Sequence, residues 1–416
     1  MKYPHEILPL RDQARIRNQW LHKRFEHILP AIMNRENIDL WIIICREYNE
    51  DPVIMSLLPE PSMSARRRTI LAFSRNVDGS VDRFSLDRYG YGEFYRPAWN
   101  PEQQPSQYTA LADLVEELNP KSIGINFSSV FAFSDGLSHT EYSSLVGALT
   151  PERMANVFSA ERLVVGWLES RLPEEIEVYP ALCAAGHDII RRAFSREVIT
   201  PGETTTDDVV WWMRQAMHDF GVKSWFQPSI EIQAPGQSYA VVGKRKLILP
   251  GDLLHCDMGF HYLGLATDQQ QHAYVLKEGE TDAPAGLKQA LLHGNQVQDV
   301  HMAEMKLGQS GNQVLAATRN GAIEKGLKPQ VYSHPLGYHG HAAGATIGLW
   351  DQQGGVPGNG DYPVQDNTVW SIELNAKTAV PEWDGQEVRI ALEEDAVVEN
   401  GICRWLDGRQ EEFHLI

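Results

Sequence analysis

The chain has 416 residues, of which 43% are hydrophobic and 22% are charged, and its formal net charge is −18. This length is enough for two domains with cores of their own, and the composition is that of a folded protein rather than a disordered one. The negative charge disfavours nucleic acid and anionic membranes as partners, and the short basic run Arg66-Arg67-Arg68 is interpreted as a solvated start of a strand.

The first 160 residues alternate between helical and strand-like patterns, which predicts an α/β domain over 1–160. The predicted elements are a helix over 11–35, strands over 39–45, 69–74 and 81–86, a helix over 108–118, a strand over 121–126 and a helix over 140–149. Because this part carries no cluster of catalytic residue types, we expect it to cover an active site or to make oligomer contacts, with a purely structural role as the alternative.

A second domain is predicted over 161–416, with its first helices over 173–194 and 206–220. The pattern Pro201-Gly202-Glu203-Thr204-Thr205 before a helix that ends at Gly221 returns as Leu307-Gly308-Gln309-Ser310-Gly311 before a helix that ends at Gly326. A domain with two related halves would leave such a repeat, and chance agreement between helix caps is the alternative.

Residues that can bind hard metal ions are concentrated in the second domain, in the order Asp257, Asp268, His334, Glu373 and Glu394. Each lies in an apolar, strand-like or glycine-punctuated segment. Since buried carboxylates are costly unless a cation offsets the loss of hydration, this order predicts a two-metal hydrolase site.

The first two of these residues are predicted to face each other in a β-hairpin. A hairpin centred on Tyr262 and Leu263 places Asp257 opposite Asp268, with their Cβ atoms roughly 5 Å apart. Two carboxylates so close repel each other unless a cation joins them. The alternative is a pair of solvated carboxylates near a turn.

The segment from Ser333 to His341 holds three histidines, His334, His339 and His341, together with two glycines. Such a loop can supply both a metal ligand and an acid or base, and a flexible polar loop is the alternative. Further along the chain, side chains that alternate between the two faces of a strand place Glu373 on a polar face and Glu394 on an apolar one. A carboxylate on an apolar face needs a partner, either a metal ion or an arginine such as Arg389.

These residues and their spacing resemble the pita-bread metallopeptidases, which include methionine aminopeptidase, Xaa-Pro aminopeptidase, prolidase and, without metal, creatinase. The matching motifs are Gly251 to Gly259, Asp268, His334-Pro335-Leu336-Gly337, Ser371-Ile372-Glu373 and Glu394 to Val398. The resemblance covers most of the chain. It implies a creatinase-like N-terminal α/β domain followed by an α+β pita-bread catalytic domain with pseudo-twofold internal symmetry.

The resemblance also implies a role for each site residue. Asp257 would bind one metal ion, His334 and Glu373 the other, and Asp268 and Glu394 would bridge the two. Mn²⁺ is the expected ion, and Co²⁺, Zn²⁺ and Fe²⁺ also suit this ligand set.

The implied activity is that of a metallopeptidase of the Xaa-Pro aminopeptidase or prolidase type, which hydrolyses small peptides through a metal-bridged water. Glu373 would accept the proton of that water, and His341 would contact substrate and stabilise the oxyanion or leaving group. Two alternatives are a creatinase-like hydrolase of a small non-peptide amide or C–N bond, and a pita-bread binding module without catalysis.

The expected setting is a cytoplasmic homodimer or higher homo-oligomer. The residues Met1 to Glu6 lack the apolar run of a signal peptide, and no segment has the uncharged length of a membrane span. Four widely spaced cysteines, Cys45, Cys183, Cys256 and Cys403, predict neither a disulfide framework nor a zinc–thiolate site, so we expect reduced thiols.

Three departures from the family pattern bear on substrate handling and on the last ligand. The segment Gly236 to Val242 contains no histidine, where family members usually carry a substrate-binding one. Gln271 stands where an arginine is often found. The stretch from Arg389 to Glu394 is longer than the usual Arg-x-Glu, so that Glu393 competes with Glu394 for the last ligand position.

Overall fold

The computed structural model describes residues 7–237, 246–341 and 343–416, which divide into two compact units. The first unit is Leu8–Leu172, and the second consists of Pro173–Ile416 together with Ile7. Met1 to Glu6, from which the lack of a signal peptide was predicted, lie outside the described residues. Most of the segment Gly236 to Val242, which has no histidine, lies outside them as well. No helix in the described ranges is long and apolar enough to cross a membrane.

The first unit contains a mixed six-stranded sheet and helices that pack on it. Its helices are α1 Leu10–Lys23, α2 Leu29–Arg35, α3 Gln107–Leu118, α4 His139–Ala148, α5 Pro151–Met154 and α6 Glu161–Glu169. Its strands are β1 Leu40–Arg46, β2 Arg68–Arg75, β3 Val81–Ser85, β4 Arg96–Pro97, β5 Ile123–Ile125 and β6 Val157–Ser159, in the spatial order β4-β3-β2-β1-β5-β6.

Every helix and strand predicted for this part is present, with ends shifted by one or two residues. The helix predicted over 11–35 is interrupted by a π-helical turn over Arg24–Ile28. Pro30 lies two residues after the end of that turn, and a proline has no N–H to continue the α-helical ladder. The core is formed by apolar residues of β1 and β2 against α3, such as Ile42, Ile70 and Leu111, all of which are buried.

The units divide after Leu172, whereas the sequence placed the second domain from residue 161 onward. The difference is helix α6, which packs within the first unit. Its Trp167 ring stacks on Phe25, with ring centroids 5.7 Å apart. Arg24 donates to the Trp167 carbonyl oxygen and covers the same ring. These contacts join α6 to the π-helical turn that follows α1.

The second unit is built on a nine-stranded sheet, a small three-stranded sheet and four helices among its described residues. The helices are α7 Pro173–Ala193, α8 Thr206–Phe220, α9 Ala285–Glu304 and α10 Gly311–Glu324. The strands are β7 Lys223–Ser224, β8 Ser229–Gln233, β9 Leu253–Met258, β10 Phe260–Tyr262, β11 Leu265–Ala266, β12 Gln269–Tyr274, β13 Pro329–Val331, β14 His334–Pro335, β15 Thr368–Val380, β16 Gln386–Glu399, β17 Ile402–Trp405 and β18 His414–Leu415.

The large sheet runs β13-β15-β16-β12-β9-β8, with β14, β17 and β18 paired to β15, β16 and β12. Helix α9 packs on one face of it, where Leu287 and Leu291 form a core cluster with Ile390 and Leu392 of β16. Gly294 of α9 permits this approach, because a Cβ there would lie 2.9 Å from a Leu392 methyl carbon. The alternate residues of β16 therefore point to the opposite face.

The predicted repeat corresponds to two similar helical pairs, α7 with α8 and α9 with α10. Helices α8 and α10 both begin with a capping box, formed by Thr205 with Asp208 and by Ser310 with Gln313. Gly221 and Gly326 follow the two helices with positive φ values of 92° and 77°. The two halves of the second unit thus share cap chemistry as well as element order.

Candidate metal centre

Four carboxylates and two imidazoles converge on the face of the large sheet that α9 does not cover. They form three overlapping groups of three residues, and within each group the potential ligand atoms all lie within 4.8 Å of one another. The groups contain Asp257, Asp268, His334, His341, Glu373 and Glu393. Four of the five predicted metal ligands and the predicted substrate-binding histidine are therefore brought together.

The hairpin that carries the two aspartates has a different register from the predicted one. Asp257 pairs with Gln270 rather than with Asp268, because the turn is centred on Leu263 and Gly264. Both turn residues have positive φ, 55° and 82°, as a two-residue turn of the type common in hairpins requires. The shift of two positions makes Asp268 a diagonal neighbour of Asp257 on the same face.

The last predicted ligand, Glu394, is not part of the cluster, and Glu393 takes its place. Strand pairing sets Glu393 opposite Glu373 and sets Glu394 opposite the apolar Ile372. Because neighbouring residues of a strand point to opposite faces, only one of the two glutamates can reach the other carboxylates. The assignment of Glu394 is corrected on this ground.

Glu394 is fully buried on the helix-covered face, where it has partners of its own. His187 of α7 places Nε2 2.6 Å from a carboxylate oxygen of Glu394 and Nδ1 2.9 Å from Asp407. Gln271 and the Gln410 backbone N–H both donate to the other oxygen, at 2.8 and 3.0 Å. Glu394 thus belongs to a structural ion pair, with His187 rather than an arginine as its cation.

His334 presents an unprotonated nitrogen to the acidic cluster. Its Nδ1 lies 3.2 Å from the Pro335 carbonyl oxygen, which can only accept, so the proton resides on Nδ1. Its Nε2 lies 3.6 Å from Glu393, 3.8 Å from Asp268 and 4.0 Å from Glu373. This is the tautomer that a metal ligand needs.

The carboxylates of the cluster repel one another in a buried setting. Burial, followed by the charge of Glu393, raises the pKa values of Asp257, Asp268 and Glu373 well above the ordinary range. Burial would also raise the pKa of Glu393, but the neighbouring His334, together with hydrogen bonds from Ser371 and Gln270, outweighs it and holds that pKa below its usual value. The cluster is therefore short of positive charge.

The donor atoms of the cluster fit divalent cations. Among the described residues, Oδ1 of Asp257, Oδ1 of Asp268 and Nε2 of His334 are buried without a hydrogen-bond partner. Buried polar atoms are rarely left unsatisfied. Their convergence with Glu373 and Glu393 gives an oxygen-rich set with one imidazole, which suits hard or borderline divalent ions.

Gln270, which the sequence did not single out, holds two of the carboxylates in position. Its side-chain nitrogen donates to Glu373 at 2.9 Å and to Glu393 at 2.7 Å. Its side-chain oxygen accepts from Nε2 of His255 at 2.9 Å, and Nδ1 of His255 lies 3.1 Å from Glu231. The two glutamates are thereby tied through one amide to a polar chain that extends to β8.

An aromatic wall closes one side of the cluster. His341 is half exposed, and its ring meets His334 and Trp225 edge-on, with centroids 4.7 Å away in each case. Tyr332 lies 6.4 Å from His341 by ring centroids. Gly340 has φ of 93°, and a Cβ there would lie 2.7 Å from Trp225, so the loop can cross this ring only with glycine.

The remaining predicted residues have clear positions. His339 packs against Tyr338, with ring centroids 5.1 Å apart, and does not join the metal-ligand groups of the described residues. Gln271 contacts Glu394 and His414 on the helix-covered face. Trp225 and Tyr332 were missed because no local motif marks them, since each is brought to the cluster by strand pairing and loop packing alone.

Comparison with known proteins agrees with this geometry. Residues 180–400 match the metallopeptidase family M24. No curated protein matches the chain. Among solved structures, an X-Pro aminopeptidase from Thermotoga maritima has a TM-score of 0.64 at 16% identity, over 93% of this chain and all (100%) of that one.

Two further structures have the same fold. The Xaa-Pro dipeptidase from Bacillus anthracis has a TM-score of 0.60 at 17% identity and covers 97% of this chain and 100% of its own. The prolidase from Pyrococcus horikoshii has a TM-score of 0.57 at 16% identity and covers 94% of this chain and 99% of its own. At such identities the likeness establishes the fold, an N-terminal domain followed by a pita-bread domain.

Proposed function

The chain belongs to metallopeptidase family M24, and we propose that it is a dinuclear metal-dependent peptidase of the Xaa-Pro aminopeptidase or prolidase type. The observation that carries the proposal is the set of buried, mutually repelling carboxylates beside an imidazole nitrogen with a free lone pair. Two divalent ions would remove that repulsion and occupy the atoms that have no other partner.

The residues that would hold the ions are Asp257, Asp268, His334, Glu373 and Glu393. Mn²⁺ is proposed as the native ion, because four carboxylates and one imidazole make a largely hard ligand set, and Co²⁺, Zn²⁺ or Fe²⁺ also suit it. When bound, such ions supply a nucleophilic water at neutral pH and polarise the scissile carbonyl. Glu393 replaces Glu394 in this set for the geometric reason given above.

Two side chains of the cluster are positioned to act on a substrate. The Glu373 side chain is 19% exposed and that of His341 is 49% exposed, whereas Asp268, His334 and Glu393 are almost wholly buried. Glu373 is therefore proposed to accept the proton of the attacking water. His341 is proposed to stabilise the oxyanion or the leaving group as a neutral imidazole, since burial and the neighbouring His334 lower its pKa to about 4.

Small peptides with proline in the second position are the proposed substrates. The three solved structures described above are Xaa-Pro peptidases and a prolidase by name. The rings of Trp225 and Tyr332 beside His341 offer apolar surface that would suit a pyrrolidine ring. We further propose a cytoplasmic homodimer or higher homo-oligomer without nucleic acid or membrane partners, a setting in which the four free cysteines stay reduced.

Metal analysis and a peptide panel test the proposal together. After reconstitution with Mn²⁺ the protein should hold two ions per chain, and chelation should lower its melting temperature. Xaa-Pro dipeptides and tripeptides should be cleaved faster than matched Xaa-Ala peptides. Absence of bound metal would favour a binding module, and turnover of creatine or another small amide with no peptide cleavage would favour the creatinase-like alternative.

A further inference from the structure

The first unit contains an arginine-lined cavity that lies wholly within Leu8–Leu172 and shares no residue with the metal cluster. Its volume is about 340 Å³, at the small end of the range for metabolite pockets. Its lining includes Trp99 and five arginines, Arg46, Arg66, Arg67, Arg68 and Arg88. Five guanidinium groups around one cavity are unexpected in a chain of net charge −18.

Two of the arginines share one acidic partner within the protein. Glu141, which is almost fully buried, pairs with Arg46 at 3.0 Å and with Arg68 at 2.8 Å. Asp87 also lines the cavity, but its carboxylate accepts from Thr69, Tyr91 and the Tyr89 backbone N–H. The acidic groups at hand therefore leave an excess of positive charge.

The other three arginines have no acidic partner among the described residues. Arg66 lies over the Tyr89 ring at 4.7 Å from its centroid, and Arg88 lies 6.0 Å from the centroid of Trp99. Arg67 has a φ of 42°, in the left-handed region that non-glycine residues seldom adopt. Backbone strain of this kind is concentrated at ligand sites, where the surrounding structure holds a side chain in place.

A neutral donor in the same cavity also lacks an acceptor. Trp99 Nε1 is buried and has no hydrogen-bond partner within the described part of the chain. The wall beneath is fixed, because the side-chain nitrogen of Gln107 donates to the carbonyl oxygens of Arg68 and Leu86 and so joins the ends of β2 and β3. The cavity is thus a rigid concave surface with unpaired donors and excess positive charge.

We propose that this cavity binds a small, multiply charged anion whose phosphate or carboxylate oxygens are held by Arg66, Arg67 and Arg88. Guanidinium groups bind both oxyanions through paired N–H donors. The volume admits a metabolite but not a folded segment of another protein. The run Arg66-Arg67-Arg68, interpreted from sequence as a solvated start of a strand, would then form one wall of a binding site.

Calorimetric titration of the full-length protein at constant ionic strength tests this site. Inorganic phosphate, a hexose bisphosphate and succinate serve as probes, so that phosphate and carboxylate ligands are distinguished. At least one should bind, and Arg67→Gln and Arg88→Gln should each weaken that binding about tenfold or more. Arg88→Lys, which keeps the charge but loses the planar fork, should give a smaller loss.

Arg96→Gln is the matched control, because Arg96 is exposed in the same unit, lies over Phe84 and does not line the cavity. It should bind the probe as the unaltered protein does. Equal loss in Arg96→Gln would show that only the overall charge matters and would overturn the proposal. Binding that survives in both cavity variants would overturn it as well, as would binding of a short oligonucleotide with none of the small anions.

Discussion

Glu393 and Glu394 are neighbours on one strand but belong to two acidic clusters on opposite faces of the sheet. The two clusters differ in how the negative charge of their buried carboxylates is balanced. On the open face of the sheet, Glu393 meets Asp257, Asp268 and Glu373, and the pKa values of those three are raised. On the helix-covered face, Glu394 meets His187, which Asp407 also contacts. The first cluster needs a cation from outside the chain, and the second contains one.

The pKa of His187 shows how strongly the second cluster is organised. Burial alone would lower it, but the charge of Glu394 and hydrogen bonds to Asp407 and Glu394 outweigh burial and raise it to about 10. The imidazolium form is thereby fixed at neutral pH. Gln271 donates to the same Glu394 without bringing charge. His187 therefore supplies the positive charge on this face.

The largest effect on metal content and turnover should come from replacing each of the two glutamates by glutamine in separate variants. Glu393→Gln keeps the side chain's shape but removes a ligand charge, so metal content should fall below two ions and turnover should fall by roughly 10³-fold or more. Glu394→Gln should keep both ions and most of the turnover. Elemental analysis and a peptide assay on both variants measure this. Metal loss in Glu394→Gln with retention in Glu393→Gln would reverse the assignment.

Removing His187 should affect stability rather than metal content. His187→Ala leaves Glu394 buried without its cation, which should cost roughly 3–5 kcal/mol in the free energy of unfolding at pH 6. Calorimetric melting should show the loss, while the protein still takes up two ions. His218→Ala, at an exposed position of α8, is the matched control and should melt as the unaltered protein does.

The pH dependence of that loss follows from the direction of the shift. Because the folded pKa of about 10 lies above the ordinary value of 6.5, the stabilisation is complete below about pH 6.5 and is lost as pH rises through 10. The melting temperatures of His187→Ala and the unaltered protein should therefore converge at high pH. A gap that widens between pH 7 and 10 would contradict the ion pair.

The same pair of glutamates shows what a single sequence can predict. Residue types and the alternation of polar and apolar residues predicted that β16 is a strand and that its buried acid needs a partner. Both predictions are confirmed, since β16 is a strand and Glu394 pairs with His187. Which glutamate faces the cluster depends on the register of β16 against β15, and a change of one residue reverses the face. The predicted pairing register of the hairpin that carries Asp257 and Asp268 was wrong by two positions for a related reason. Its turn depends on backbone angles at Leu263 and Gly264.

Elements with local signals were predicted well, and contacts between distant segments were not. The helices that begin at Thr206 and Gly311 have capping boxes and following glycines that can be read directly. His187 and Trp225 have no such signal, because α7 and the loop after β7 reach their clusters only through tertiary packing. Sequence reasoning therefore recovered the ligand types and most of the fold, but not the residues that position the ligands.

The open cluster can be probed further through its half-exposed histidine. His341→Ala should retain both ions but lower turnover by roughly 10²- to 10³-fold, the usual loss for a donor that stabilises an oxyanion. His339→Ala is the control from the same loop, since His339 lies outside the metal-ligand groups, and it should have little effect. Loss of a metal ion in His341→Ala would make His341 a ligand instead.

The smallest effect is expected for the hydrogen bonds that β12 donates to the carboxylates on the two faces of the sheet. It shows whether these hydrogen bonds act independently. Gln270→Ala removes the amide that holds Glu373 and Glu393, so Mn²⁺ affinity should fall by roughly 10- to 100-fold, as for other partners of metal ligands. Gln271→Ala deletes the neighbouring amide, which points to Glu394, and should leave that affinity unchanged while lowering the melting temperature. Titration of metal-free protein with Mn²⁺ measures both variants. Equal losses of Mn²⁺ affinity in the two variants would mean that β12 transmits strain from one face of the sheet to the other. A loss in Gln270→Ala alone would mean that β12, like β16, has a binding function on one face and a structural function on the other.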